Sequence, residues 1–246
     1  MISSEQGNPP VDQVRSDFDR LALLEGGGPD HNRHYHRFLL GVVPAGARSA
    51  LEVGCGRGEF ARALAARVSH VTAIDLSPVM IGLAREACAD TPNLTLVEAD
   101  ALSWASPDES FDFIVSIAML HHVAAAPLLA SLARALRPGG TLAILDLRHP
   151  RGRVDHTMAL LALPLEFWLR LKSGRLLPDP ESRAVWEEHG RRERYLTYFD
   201  AREMARLHLP GSRVRRHLLW RYSLTYSKPK ADASASTREA DARRRP

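Results

Sequence analysis

Residues 50 to 58 read Ala-Leu-Glu-Val-Gly-Cys-Gly-Arg-Gly, an apolar run that passes into a loop with glycine at every second position. A loop so poor in side chains, at Gly54, Gly56 and Gly58, lets a ligand lie against bare backbone and lets the next helix begin close to the strand. Asp75 closes the following apolar run, where an acid can accept both hydroxyls of a ribose. Glu52, inside the first run, would suit a cationic part of the same ligand. The glycines do not follow Gly-x-Gly-x-x-Gly, because Glu59 stands where the last glycine would be. An acid at the start of the helix opposes a pyrophosphate. These residues describe a crevice for a nucleoside without phosphates, and they argue against a nicotinamide dehydrogenase.

Histidines supply the other reactive groups. His121 and His122 follow the fourth apolar run, and His31, His34, Tyr35 and His36 crowd into a short segment near the start. Imidazole exchanges a proton near neutrality, so His121 or His122 could orient or deprotonate an acceptor. The competing reading is that the pair only shapes its loop. His31 with His34, or His121 with His122, could also ligate zinc, but no cysteine or acid completes a convincing set, and no metal site is expected.

These residues must be positioned by an alternating α/β chain. Near-continuous apolar runs predict strands at 49–54, 70–75, 94–99, 111–118 and 141–147, buried on both faces. Helical spacing predicts helices at 59–67, 78–89 and 127–137, with Pro78 in a first turn and Pro138-Gly139-Gly140 ending the third. Such alternation implies a parallel sheet with right-handed crossovers. Upstream, residues 11–25 read as one helix. Gly26-Gly27-Gly28-Pro29 breaks the chain, and Asp30 can cap a second helix over 31–40. Residues 148–198 leave the alternation, with an apolar segment from Met158 to Leu171 interrupted by Pro164. Asp200 is placed to cap a last helix over 201–209. Strands at 213–219 and 222–228 then form a hairpin about Trp220-Arg221, and residues 230–246 lack periodicity and read as a disordered tail.

Five segments in order resemble class I S-adenosylmethionine-dependent methyltransferases, nearest to the small-molecule, quinone-biosynthesis-like type. Leu51 to Gly58 resembles the first motif, and Ala73 to Ser77 the ribose-binding second. Val97 to Ala101 resembles the adenine-contacting third. Phe111 to Ser116 with Leu120-His121-His122 resembles the fourth strand and its loop, and Leu136 to Leu142 the turn into the fifth. The resemblance implies a Rossmann-like, seven-stranded, mostly parallel sheet of order 3-2-1-4-5-7-6. Helices would cover both faces, with an insertion between strand 5 and the last helix. It implies a helical cap over 1–47, a catalytic domain over 48–229 and a lid or substrate insertion at 148–198.

It further implies S-adenosylmethionine as cofactor. Gly54, Cys55, Gly56 and Gly58 would pass backbone along it, with Glu52 behind them. Asp75 and Leu76 would meet the ribose, and Asp100 and Ala101 the adenine. Ser116 and Met119 would line the methionine end. His121 and His122 are then the catalytic candidates, and His34 and Tyr35 the substrate candidates on a helix folding over the cofactor. The chemistry asks mainly for positioning, because the sulfonium is already a good leaving group. Non-methylating use of the fold, such as a cyclisation, is an alternative. Nucleic-acid methylation is disfavoured by the absence of Asn/Asp-Pro-Pro-aromatic and of a cysteine after the fourth strand.

Composition agrees with a globular chain of 246 residues. No apolar stretch approaches the about 20 residues that span a bilayer, and no apolar leader opens the chain. Two cysteines make no disulfide framework, which points to the cytoplasm. The net charge of +4 is unevenly spread, with arginines at 191, 192 and 194, at 213, 215 and 216, and at 243–245. Apart from Trp220 and Tyr222, no aromatics are interleaved for stacking, and these runs read as solvated surface rather than a nucleic-acid platform. A small-molecule acceptor and a monomer or homodimer are expected. The apolar segment at 158–171 would roof a pocket for an aromatic or lipid-like acceptor, or touch a membrane surface.

Overall fold

The computed structural model describes residues 10–24, 31–172 and 180–230. The expectations for residues 1–9, the glycine run, Asp30 and residues 231–246 lie outside them. In chain order the elements are α1 (Val11–Leu23), α2 (His36–Gly41), β1 (Ser49–Val53), α3 (Glu59–Ala65), β2 (His70–Asp75), α4 (Pro78–Ala87) and β3 (Leu94–Glu98). After these come β4 (Phe111–Ile117), α5 (Ala125–Ala135), β5 (Leu136–Leu147), α6 (Arg153–Lys172) and α7 (Pro180–Arg192). The chain closes with α8 (Tyr198–His208), β6 (Arg213–Arg216) and β7 (Arg221–Ser227).

The seven strands form one sheet of order β3-β2-β1-β4-β5-β7-β6, as the resemblance implied. Strands β1 to β5 pair in parallel, and β7 runs antiparallel between β5 and β6. Successive side chains point to opposite faces, and both faces are covered. Leu51, Ile114, Leu142 and Ile144 pack with Leu128, Leu129 and Leu132 of α5 and Ala201 and Ala205 of α8. Ala50, Phe113, Val115, Ala143 and Leu145 pack with Leu39 of α2, Phe60 and Leu64 of α3, Ile81 of α4 and Ala162 of α6. The strand order reverses between β1 and β4, so the crevice opens at their carboxyl ends, above Gly54 and Ala118.

Several boundaries differ from expectation. α5 stops at Ala135, and Pro138-Gly139-Gly140 lies within β5, not at a helix end. There Gly139 adopts a positive φ of 84° and the β4–β5 register shifts between Phe111 and Phe113. Pro164 does not interrupt α6, which continues to Lys172. The cap of α8 is Thr197: its hydroxyl accepts from the Asp200 amide, and Asp200 answers at the third position of a capping box. The second helix begins as a 3-10 turn over Arg33–Tyr35. The β6–β7 turn is centred on Leu219 and Trp220, which both have positive φ, 54° and 56°. This is the backbone of a two-residue primed turn, and it places the turn one residue before the expected Trp220-Arg221.

Candidate functional site

The glycine loop is held at both ends. Gly54 and Cys55 donate their amides to the Ile74 carbonyl at 2.9 and 3.0 Å, which carries the loop from β1 across to β2. Asp75 then takes the Gly56 amide on Oδ2 at 2.8 Å and the Ser77 amide on Oδ1 at 2.9 Å. Burial raises its carboxyl above the ordinary value, while the amides of Ser77, Gly56 and Leu76 hold it down. Each oxygen keeps a further lone pair, so the group can grip the loop and a diol together. The three glycines have φ values of 77°, 51° and 77°. A Cβ on Gly54 would lie 2.8 Å from Met119 Cγ, whereas one on Gly56 would meet nothing within 4 Å. The first glycine is required by a neighbour, and the second leaves an open place on the floor.

Behind the floor, Glu52 is 2 % exposed and its Oε2 has no hydrogen-bond partner among the described residues. Burial first, and Asp75 second, push its carboxyl well above the ordinary range. Cys55 is buried and its thiol is also pushed up by burial, which disfavours the thiolate. Ser116 is buried at the end of β4 with its Oγ unpartnered among the described residues. Ala118 follows with a positive φ of 52°, and Met119 turns back against Gly54. Asp100 accepts the Leu102 amide at 3.0 Å, capping its own turn, and Ala101 packs against the core.

Helix α1 covers this region. Arg57, in the glycine loop, donates to the Ala22 carbonyl at 2.6 Å, and the Ser77 hydroxyl donates to Asp19. Beyond Met119, the histidine pair enters a buried chamber built from five parts of the chain. His121 Nδ1 stands 2.6 Å from Oδ1 of Asp146 near the end of β5, and the two side chains are 4 % and 2 % exposed. His122 Nδ1 stands 2.9 Å from Oε1 of Glu193, just past α7. His189 of α7 approaches Glu193 through Nε2 at 3.6 Å and Asp17 of α1 through Nδ1 at 3.4 Å. The Phe18 ring stands edge-on to His122 and His189, and Tyr195 faces His121. Burial lowers the His122 pKa, so its neutral form is favoured, and burial pushes the Tyr195 phenol up to about 12.

Glu193 overturns the expectation that no acid stands with the histidines. Among the described residues, His121, His122 and Glu193 form a group whose ligand atoms lie within 4.8 Å of one another. Neither Glu193 nor His189 was visible as a partner from spacing. Asp146 did leave a signal, as the one acid in the apolar run Leu142-Ala-Ile-Leu-Asp146-Leu. The other pair of candidates goes elsewhere. His34 is exposed, and the buried Tyr35 donates its hydroxyl to the Leu218 carbonyl of the β6–β7 connection at 2.8 Å. The segment expected to roof a pocket or touch a membrane surface keeps its apolar side outward. Leu160, Leu161, Leu163, Phe167, Trp168 and Leu171 of α6 are exposed, and the helix turns Asp155 and Ala162 inward.

Comparison with known proteins agrees with this geometry. Residues 50–140 match the methyltransferase domain family. An uncharacterized methyltransferase of Mycobacterium tuberculosis is 31% identical over 201 residues, which cover 80% of this chain and 96% of that one. The demethylmenaquinone methyltransferase of Tropheryma whipplei is 35% identical over 143 residues, 56% of this chain and 58% of that one. The fold is shared with the N-methyltransferase NodS from Bradyrhizobium japonicum, solved with S-adenosyl-L-homocysteine. That match has a TM-score of 0.56 at 17% identity and covers 88% and 99% of the two chains. A loop carrying glycines at alternate positions, an acid closing β2 and a reversal of strand order between β1 and β4 thus sit in a chain that belongs to the class I S-adenosylmethionine-dependent methyltransferases.

Proposed function

We propose that this chain moves a methyl group from S-adenosylmethionine to an oxygen, nitrogen or carbon of a small apolar acceptor. The observation that carries the reading is the floor at Gly56, open above and tied to Asp75, with the orphaned carboxyl of Glu52 buried behind it. A neutral nucleoside with a cationic tail fits these groups, and a diphosphate does not. The cofactor would supply an activated methyl group on a sulfonium. Asp75 would hold the ribose, the turn at Asp100 and Ala101 would border the adenine, and Ser116 and Met119 would line the methionine end. His121 and His122, two and three residues past Met119, would be the groups that meet the acceptor's nucleophile. Asp146 keeps the His121 ring in one orientation through Nδ1 and leaves its Nε2 for another partner.

The apolar character of the acceptor is supported by α6. Its exposed apolar residues at 160, 161, 167, 168 and 171 share one side at helical spacing, which is more apolar surface than solvent alone favours. Arg153 and Lys172 stand exposed at its ends, while its acids, Asp155 and Glu166, are turned in toward arginine partners. Among the described residues no helix is long and apolar enough to cross a membrane. The T. whipplei relative, named for demethylmenaquinone, also supports a small-molecule acceptor.

Calorimetry with S-adenosylhomocysteine tests the cofactor: the protein should bind it, and Asp75→Ala should weaken binding at least about tenfold, about 1.4 kcal/mol. Mass spectrometry of acceptor mixtures tests the reaction. A product changed without gain of a methyl group would move the protein to the non-methylating use of the fold.

A further inference from the structure

We propose that the buried histidine chamber is a site for a first-row divalent metal ion, zinc foremost, held by His121, His122 and Glu193. Four observations support it. The three side chains are 4 %, 4 % and 2 % exposed, and their ligand atoms lie within 4.8 Å of one another. His122 Nδ1 and Glu193 Oε1 approach to 2.9 Å, yet this nitrogen makes no aligned hydrogen bond among the described residues, and neither does Glu193 Oε2. A buried carboxylate left in this condition is costly, and a cation shared with the imidazoles removes the cost.

The outward nitrogens are the third observation. His121 presents Nδ1 to Asp146, and His189 presents Nδ1 to Asp17, which leaves Nε2 of each ring for another partner. A carboxylate behind a histidine is the usual support of a ligating imidazole, because it fixes the tautomer and strengthens the donor. His189 Nε2 lies 3.6 Å from Glu193 Oε1 but outside the group of three, so the fourth position is open. The donor set is the last. Two imidazole nitrogens with one carboxylate oxygen suit zinc and its neighbours, whereas magnesium and calcium take mostly oxygen. Methyl transfer needs no redox change, so the ion would act only as a Lewis acid. If the chain methylates a hydroxyl, as proposed above, a position left open beside three protein ligands would receive that oxygen and make it acidic.

The test uses the full chain. Protein purified without chelator is analysed for metal content, and chelator-dialysed protein is titrated with zinc alone by calorimetry. Cobalt is added separately, and its visible spectrum reports ligand geometry. One ion per chain and a tetrahedral cobalt spectrum are expected. Glu193→Gln and Asp146→Asn should each lower zinc affinity about 10- to 100-fold. S-adenosylhomocysteine binding serves as the fold check for each variant. Where a variant fails that check, His189→Ala and the wild-type cobalt spectrum decide. A wild-type chain that takes up neither zinc nor cobalt overturns the site, as does equal binding by wild type and folded variants. Failure of the metal site with S-adenosylhomocysteine still bound leaves the methyltransferase reading standing; loss of nucleoside binding with zinc retained overturns the other reading alone.

Discussion

Single residues of the glycine loop carry separable duties. Gly54 and Gly56 both have positive φ, but only Gly54 has a neighbour inside the space of a Cβ. Gly54→Ala should therefore combine the left-handed penalty, on the order of 1–2 kcal/mol, with a clash against Met119. Gly56→Ala should cost only the conformational part while filling the place proposed for the cofactor. Denaturant unfolding should show the larger loss for Gly54→Ala, and calorimetry should show S-adenosylhomocysteine affinity falling in Gly56→Ala beyond its loss of stability. Both glycines, Glu52 and Asp75 were legible in the sequence because strand, loop and strand end follow one another closely along the chain. The partners of the histidine pair were not. Glu193 and His189 reach His122 only because α7 folds back over the loop after β4, and no local spacing encodes that approach.

At the scale of elements, hydrogen bonds tie the start of one strand to the next. Asp112, on β4, accepts the Arg48 and Ser49 amides at 2.9 and 3.0 Å and both of its oxygens face Arg137. Burial would raise its carboxyl, but the two amides and Arg137 outweigh it and hold the pKa below the ordinary value of 3.8. A carboxylate with a depressed folded pKa stabilises above its unfolded value and loses that contribution as pH falls through the folded one. Asp112→Asn should thus be less stable than wild type at neutral pH, and the gap should close as the pH drops below 3.8. Urea unfolding across acid pH measures it; a gap that stays constant would show that the charge is not the source. Element types were legible from apolar periodicity, but some ends were not. Ala135 ends α5 because β5 begins early, with Pro138-Gly139-Gly140 absorbed at an irregular pairing with β4 that depends on the neighbouring strand.

At the scale of the molecule, α6 presents an apolar face that the fold leaves outside: Leu160, Leu161, Phe167 and Trp168 are exposed. Replacing Phe167 and Trp168 by serine should leave the melting temperature nearly unchanged, since surface substitutions usually stay within about 0.5 kcal/mol. The same variant should lose rate on an acceptor with an apolar chain while keeping its affinity for S-adenosylhomocysteine. Collapse of the fold on this substitution would instead make that face part of the core.

The order of glycines, acid and apolar runs along the chain was enough to predict a parallel sheet with a glycine-floored crevice, because these depend on neighbours in sequence; the strand order came from the family resemblance. Which side of α6 meets solvent, where Tyr35 spends its hydroxyl, and that two histidines share a buried chamber with Glu193 and Asp146 were decided by packing between distant segments. Contacts of that kind follow from how helices pack over a sheet, and residue spacing carries no record of it.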